Sequence, residues 1–115
     1  MTADAIGQYV AAFGLQARRF KGGQREHVRA LLRLGVPVIV LQWLQPDSAV
    51  PHFRVVTGYD DWAGMFLVLD PFYGPAVVIP YPVFDSLWQS NRAEFIPVYP
   101  THDEARVLQV LGLRR

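Results

Sequence analysis

The stretch that decides the fold is PHFRVVTGYDDWAGMFLVLDPFYG, residues Pro51 to Gly74. It contains two apolar segments, His52 to Tyr59 and Met65 to Leu69, separated by the polar sequence DDWAG. Segments rich in β-branched and aromatic residues on either side of a short polar segment with a glycine are typical of a β-hairpin. The sequence therefore predicts an antiparallel hairpin with His52 at the mouth of its first strand and Asp70 at the end of its second.

The segments around this hairpin alternate between helix and strand patterns. Apolar residues at helical spacing predict four helices, at residues 2–14, 24–34, 82–90 and 101–112. Strand patterns occur at residues 15–20, 36–44, 76–81 and 94–99. The run VPVIVLQWL is rich in β-branched residues, which is typical of a central strand covered on both faces. The short first strand and the proline-containing third strand are predicted to lie at the edges of the sheet.

Composition limits the classes of function. A chain of 115 residues that is 51% apolar can bury one core, so residues 1–115 are predicted to form a single α+β domain. The net charge of +1 is spread along the chain, which gives no footprint for nucleic acid or an anionic membrane. No segment resembles a signal peptide or a membrane span, so the cytoplasm is the default compartment.

His52 and Asp70 are the candidate catalytic residues, and the hairpin turn decides whether they meet. If DDWAG forms a five-residue loop, Tyr59 pairs with Met65 and Arg54 faces Asp70. His52 then projects from the same face as Asp70, about 7–8 Å away. A loop of two or four residues would place the two side chains on opposite faces. The alternative is that His52 only caps a strand and Asp70 only fixes the backbone of a turn.

Three aromatic residues are candidates for substrate binding. Trp62 lies at the predicted hairpin tip, and Phe72 and Tyr73 follow Asp70. Together they could line a groove for an extended peptide or protein segment, although surface aromatics are often incidental. His27 is predicted to be solvated, and His102 is predicted to belong to the first turn of the last helix. With no cysteine and three scattered histidines, the sequence predicts no metal site and no cofactor.

Three quoted segments carry a family resemblance: LGVPVIVLQWL, PHFRVVTGYD and FLVLDPFYGPAVVIPYPVFDSLW. Together they resemble the C39-like, papain-like cysteine peptidases, which include domains that cleave double-glycine leader peptides. The resemblance extends from Ile6 to about Tyr99. It implies a papain-like α+β fold, an antiparallel sheet with flanking helices. It also implies that His52 is the general base and that Asp70 is its orienting partner.

The departure from the family concerns the nucleophile. Family members place a glutamine and then the catalytic cysteine upstream of the helix that here begins near Ala3, and this chain has no cysteine. Its serines, Ser48, Ser86 and Ser90, lie elsewhere in the pattern. We therefore expect the nucleophile helix to be absent and the chain to be inactive as a thiol peptidase. Either a longer protein supplies the cysteine, or the domain is a non-catalytic peptide-binding or scaffold domain.

The absent helix also implies an interaction surface. In the resembled fold this helix packs centrally against the sheet, so a chain without it is expected to expose apolar surface beside His52. Patches larger than a few hundred Å² are uncommon on soluble monomers. We therefore expect the chain to self-associate through this face, or to pair with a flanking segment or domain that covers it.

Overall fold

The structure is a computed structural model that describes residues 3–89 and 92–113. The helices are α1 (Ala3–Ala11), α2 (Arg25–Arg33), α3 (Tyr81–Trp88) and α4 (Glu104–Val110), the last preceded by a 3₁₀ turn at Thr101–Asp103. The strands are β1 (Leu15–Ala17), β2 (Val38–Gln45), β3 (Ser48–Asp60), β4 (Met65–Asp70), β5 (Gly74–Pro80) and β6 (Phe95–Pro100). Thr2 and Ser90, which the predicted helices include, lie outside the described residues.

The strands form one six-stranded sheet in which every neighbouring pair is antiparallel. The spatial order is β1-β6-β2-β3-β4-β5. As predicted, β2 lies inside the sheet and β1 and β5 form its edges. The prolines of β5 suit an edge, because proline has no N–H to give to a further strand. The last strand, β6, inserts between β1 and β2. The α+β class expected from the sequence, an antiparallel sheet with flanking helices, is confirmed.

The two faces of the sheet differ in burial. On β2, Val38, Val40 and Gln42 are buried, while the alternate residues are only partly covered. Helices α2 and α3 pack on the buried face, where Val28 and Phe84 join the core. The prediction that β2 is covered on both faces is therefore wrong, because these two helices cover one face only. We call the face that bears Val38 the inner face and the opposite one the outer face.

Helix α1 buries less than its sequence predicts. The apolar residues Ile6, Tyr9, Val10 and Phe13 have helical spacing, but among them only Ile6 is fully buried. The helix ends at Ala11 and packs against the short edge strand β1, which offers little surface. The rings of Tyr9 and Phe13 contact each other instead, and each residue is 67% exposed.

The β3–β4 hairpin reaches the predicted arrangement by a different route. Asp60 pairs with Met65, so the turn has four residues rather than the predicted five. Further along the hairpin, Gly58 pairs with Leu67 and Val56 with Val68, which leaves Thr57 as an extra residue in a β-bulge. A four-residue turn alone would place His52 and Asp70 on opposite faces. The bulge adds one residue to β3 and returns both side chains to the inner face.

Deleting Thr57 tests this compensation. We expect the deletion to remove the bulge and leave a regular ladder, in which Val56 still pairs with Val68 and Asp60 with Met65. His52 and Asp70 should therefore stay on the inner face, and the free energy of unfolding in chemical denaturation should stay close to that of the parent chain.

The control removes a regularly paired residue. Deleting Ile39, which pairs with Val55 and Ile96 in the central strand β2, shifts one half of that strand by one residue, so core side chains should turn to the outer face and the folded state should be lost or strongly destabilised. If the Thr57 deletion destabilised the protein as much as the Ile39 deletion, Thr57 would not be the extra residue of a bulge.

Candidate functional site

The site is built around the carboxylate of Asp70, which ends β4 and is 2% exposed. Its Oδ1 accepts hydrogen bonds from His52 Nε2 at 2.8 Å and from the backbone N–H groups of Phe72 and Tyr73 at 2.7 and 3.0 Å. Its Oδ2 accepts one from Arg54 Nε at 2.8 Å. The two backbone bonds follow from the Asp-Pro turn, in which aspartate binds N–H groups two and three residues ahead. All these donors converge on one buried group.

The pKa of Asp70 follows from this arrangement. Burial raises the pKa of the Asp70 carboxyl, because it disfavours the charged form. Hydrogen bonds from His52 and from the backbone of Tyr73 and Phe72 lower it by more, so the net effect is a pKa below the ordinary value. Asp70 is therefore an ionised acceptor at neutral pH.

The contact with Asp70 fixes the chemistry of the His52 ring. Because an ionised carboxylate only accepts hydrogen bonds, Nε2 carries the proton in the neutral imidazole and Nδ1 carries the lone pair. Among the residues that the structure describes, none bonds to Nδ1. His52 also lines a cavity of about 420 Å³ with Leu41, Pro51, Phe53 and Pro71. Leu41 and Phe53 alternate with the inward-facing Gln42 and His52, so this cavity lies on the outer face, opposite the imidazole. The ring thus has one fixed nitrogen and one that is available as a hydrogen-bond acceptor.

Arg54 is a site residue that the sequence analysis used only to count the register. It is 3% exposed and donates to Asp70, to Gln42 Oε1 at 3.1 Å and to the carbonyls of Trp43 and Leu44 at 3.0 and 2.8 Å. Gln42, also buried, donates to the carbonyl of Phe84 at 3.0 Å. The signal in the sequence was an arginine inside an apolar strand, two residues from His52, where a charge needs a partner.

Comparison with known proteins now bears on this geometry. The sequence matches no protein-family model and no curated protein. The structure is similar to the crystal structure of a "putative C39-like peptidase" from Bacillus anthracis, with a TM-score of 0.64 over 84% of this chain and 18% sequence identity. The chain has the C39-like peptidase fold. It spans 57% of the length of the Bacillus anthracis protein.

Within this C39-like fold, the predicted binding aromatics separate into two places. Phe72 and Tyr73 lie in the loop after Asp70, with their rings 4.9 Å apart, and are 70% and 47% exposed. The Tyr73 hydroxyl accepts a hydrogen bond from Gln45 Nε2 at 2.7 Å. Trp62, 99% exposed, lies in the turn at the opposite end of β4. The length of β4 therefore keeps it out of any small groove at His52. Its binding role stays a prediction.

The two other histidines stand apart from the site. His27, predicted to be solvated, is half-buried; its Nδ1 accepts the N–H of Gln24 at 3.1 Å, and its ring stacks on Phe95. It caps the start of α2, which explains why it is less exposed than predicted. His102 is exposed and lies in the 3₁₀ turn that leads into α4. Within residues 3–89 and 92–113, no group of three histidine, aspartate or glutamate side chains is arranged to hold a metal ion.

Three exposed apolar side chains lie on the outer face of the sheet. Leu67, Leu69 and Val78, on β4 and β5, are 40–49% exposed. They face away from the side on which His52 meets Asp70. The apolar surface expected beside His52 is a different one, and its cover by self-association or by a flanking segment or domain stays a prediction. No helix in the described part of the chain is long and apolar enough to cross a membrane.

Replacing Asp70 with asparagine tests the electrostatics of the site. The variant leaves the guanidinium of Arg54 buried without its counter-charge, and removing one partner of a buried ion pair typically costs about 3–5 kcal/mol. We expect a loss of that order in the free energy of unfolding at pH 7, measured by urea denaturation.

The pH dependence of this stability loss follows from the lowered pKa of Asp70. A carboxyl whose pKa is lowered by folding stabilises the protein fully above its unfolded-state pKa of about 3.9, and the effect is lost as pH falls through the lower folded-state pKa. The difference in the free energy of unfolding between the parent chain and Asp70→Asn should therefore shrink as the pH falls below about 4. Asp85→Asn is the control, since its exposed pair with Arg25 should contribute about 1 kcal/mol or less. If this difference in free energy stayed unchanged down to pH 2, Asp70 would not be ionised at neutral pH.

Proposed function

We propose that residues 1–115 form one papain-like, C39-type peptidase domain in which His52 is the general base and Asp70 orients it. The chain contains no cysteine, so by itself it is inactive as a thiol peptidase. The nucleophile and its helix come from a segment outside this sequence. One observation carries the proposal: Asp70 binds Nε2 of His52, and no described residue bonds to Nδ1, which remains as an acceptor.

The contacts of Asp70 support a functional role for His52 over a purely structural one. Arg54 and two backbone N–H groups already satisfy the Asp70 carboxylate, so its burial does not require the imidazole. A histidine that only capped a strand would bond to backbone groups. Here the ring is oriented by a carboxylate and its second nitrogen bonds to no described residue, which is the base-and-orienter arrangement that activates a nucleophile.

A thiol placed beside the imidazole tests whether His52 can act as a base. The chain lacks cysteine, so Gln42→Cys, which lies opposite His52 on the inner face, and Tyr73→Cys, in the loop bonded to Asp70, each create a single thiol near the ring. The thiolate is the reactive form, and a nearby base increases its fraction. We expect iodoacetamide to alkylate at least one of these variants at pH 7 about tenfold faster than Ser86→Cys, a reference thiol at an exposed position of α3.

The second arm of this experiment removes the base. Adding His52→Ala to the faster variant should return its alkylation rate to that of Ser86→Cys, because the reference thiol has no base beside it. If the alkylation rates of both cysteine variants did not change when His52 was replaced, the proposed function would be contradicted. Peptide cleavage by the unmodified chain would overturn the assignment of inactivity.

A second candidate function is non-catalytic peptide binding, and the loop after Asp70 favours it. Phe72 and Tyr73 are exposed, yet their backbone N–H groups are bound to Asp70 and the Tyr73 hydroxyl to Gln45. Aromatic side chains held in place lose little conformational entropy on binding, so they make effective anchors for an extended segment.

Peptide binding can be followed by fluorescence anisotropy with a fluorescein-labelled peptide that contains a Gly-Gly pair. If the loop is the anchor, Phe72→Ala should weaken binding about tenfold or more, as loss of an anchoring aromatic usually does. Trp62→Ala, at the other end of β4, is the matched control and should bind as the parent chain does. Absence of binding, or equal losses in both variants, would argue against this second function.

A further inference from the structure

The outer face of the sheet lacks the polar side chains that a solvated sheet face usually carries. An antiparallel sheet with one face in water normally alternates apolar side chains inward and polar side chains outward. In β2, β3 and β4 the outward side chains at paired positions are apolar, and they include Ile39, Leu41, Phe53, Val55, Leu67 and Leu69. Strands with apolar side chains on both sides are typical of a sheet whose two faces are both covered.

This face also carries no charge over most of its area. Between Val38 and Pro80, all of which the structure describes, Arg54 and Asp70 face inward. The remaining acidic side chains of this part of the chain lie in or beside turns, and they are Asp47, Asp60 and Asp61. A partner that binds through ion pairs would therefore find no counter-charge on this face. The occupant has to present an uncharged apolar surface of its own.

The outer face has a more exposed part and a cavity next to each other. The more exposed part, which we call the ridge, consists of three side chains that are 40–49% exposed, Leu67, Leu69 and Val78. Two residues beyond Leu69, Pro71 lines the cavity of about 420 Å³, together with the less exposed Leu41 and Phe53. An apolar cavity of roughly 150 Å³ already holds a benzene-sized group, so this cavity has room for ridge side chains of a second molecule.

Edge-to-edge pairing, the other way in which sheets associate, is obstructed in this chain. The edge strand β5 contains Pro75 and Pro80, which have no N–H to donate. The opposite edge strand, β1, has only three residues. Two copies are therefore expected to meet face to face. Sheets that pack in this way lie about 10 Å apart with their strands roughly aligned.

We propose that two copies of this chain associate through their outer faces, with the ridge of each copy against the cavity of the other. A two-fold axis makes both contacts at once, because each copy supplies the same ridge and the same cavity. His52 and Asp70 meet on the inner face, so the association leaves the proposed catalytic side open. The inference concerns a different surface from the one expected beside His52 and does not depend on the proposed function.

The size of the face sets the strength of the dimer. Four strands about 4.8 Å apart, each contributing about six residues of about 3.3 Å, give roughly 400 Å² per copy before side-chain relief is added. Interfaces that bury less than about 1,200 Å² in total belong to weak, reversible complexes. We therefore expect a dimer that dissociates on dilution rather than a permanent one.

Sedimentation velocity tests the association itself. The average sedimentation coefficient of the parent chain should rise between about 10 µM and about 1 mM, the range expected of weak complexes. Added sodium chloride should not lower it, since no ion pair contributes to the interface. A monomer throughout this range of concentration, or a dimer that salt dissociates, would overturn the proposal.

A charge on the ridge tests the interface. Leu67→Glu places a carboxylate where the partner copy would bury it without a counter-charge, and we expect the dissociation constant to rise about tenfold or more. Val83→Glu is the matched control, because Val83 is 39% exposed but lies on α3, which packs on the inner face. This variant should associate as the parent chain does. Equal effects of the two substitutions, or no effect of folded Leu67→Glu, would contradict the proposed interface.

Cross-linking tests which parts of the two copies meet, and it does not require Leu67→Glu to fold. The chain has no cysteine, so two single-cysteine variants can be mixed and oxidised. Leu69→Cys mixed with Leu41→Cys should form the mixed disulfide about tenfold faster than Leu69→Cys mixed with Val83→Cys, because a disulfide needs its two Cα atoms within about 7 Å. Equal rates in the two mixtures would overturn the contact between ridge and cavity.

Discussion

The Asp70 carboxylate is the group on which the arrangement of this sheet end depends. A buried ionised carboxylate is strongly unfavourable unless hydrogen bonds and opposite charge compensate it. Here the donors come from β3, through His52 and Arg54, and from the loop that follows β4. Each donor is therefore constrained by the same charge. The hairpin register, the loop that presents Phe72 and the orientation of the imidazole are three consequences of this one requirement.

The β3–β4 hairpin could be predicted only in part from the sequence. The two strands and their antiparallel pairing could be predicted from apolar periodicity. The turn length could not, because both four and five residues fit DDWAG. The correct outcome came from an error that the bulge at Thr57 compensates. A signal was present in Gly58, since a glycine inside a strand often marks a bulge.

Other features escaped prediction because they depend on contacts between distant parts of the chain. Nothing local to β6 shows that it inserts between β1 and β2. The apolar stripe of α1 correctly indicates a helix, but the small partner β1 leaves Tyr9 and Phe13 exposed. The importance of Arg54 became visible only when its three acceptor residues on β2 and its bond to Asp70 were brought together.

The donors to Asp70 fall into two groups, those that compensate its buried charge and the histidine, which this compensation does not require. Arg54 and the loop N–H groups compensate the buried charge, and both are attached to elements that the fold already requires. His52 adds a further bond to the same oxygen, and no described residue bonds to its Nδ1. A side chain that the packing does not need, yet whose orientation the packing fixes, is suited to act on something outside the chain. The proposed function uses this orientation, because it places the reactive partner on the Nδ1 side of the ring.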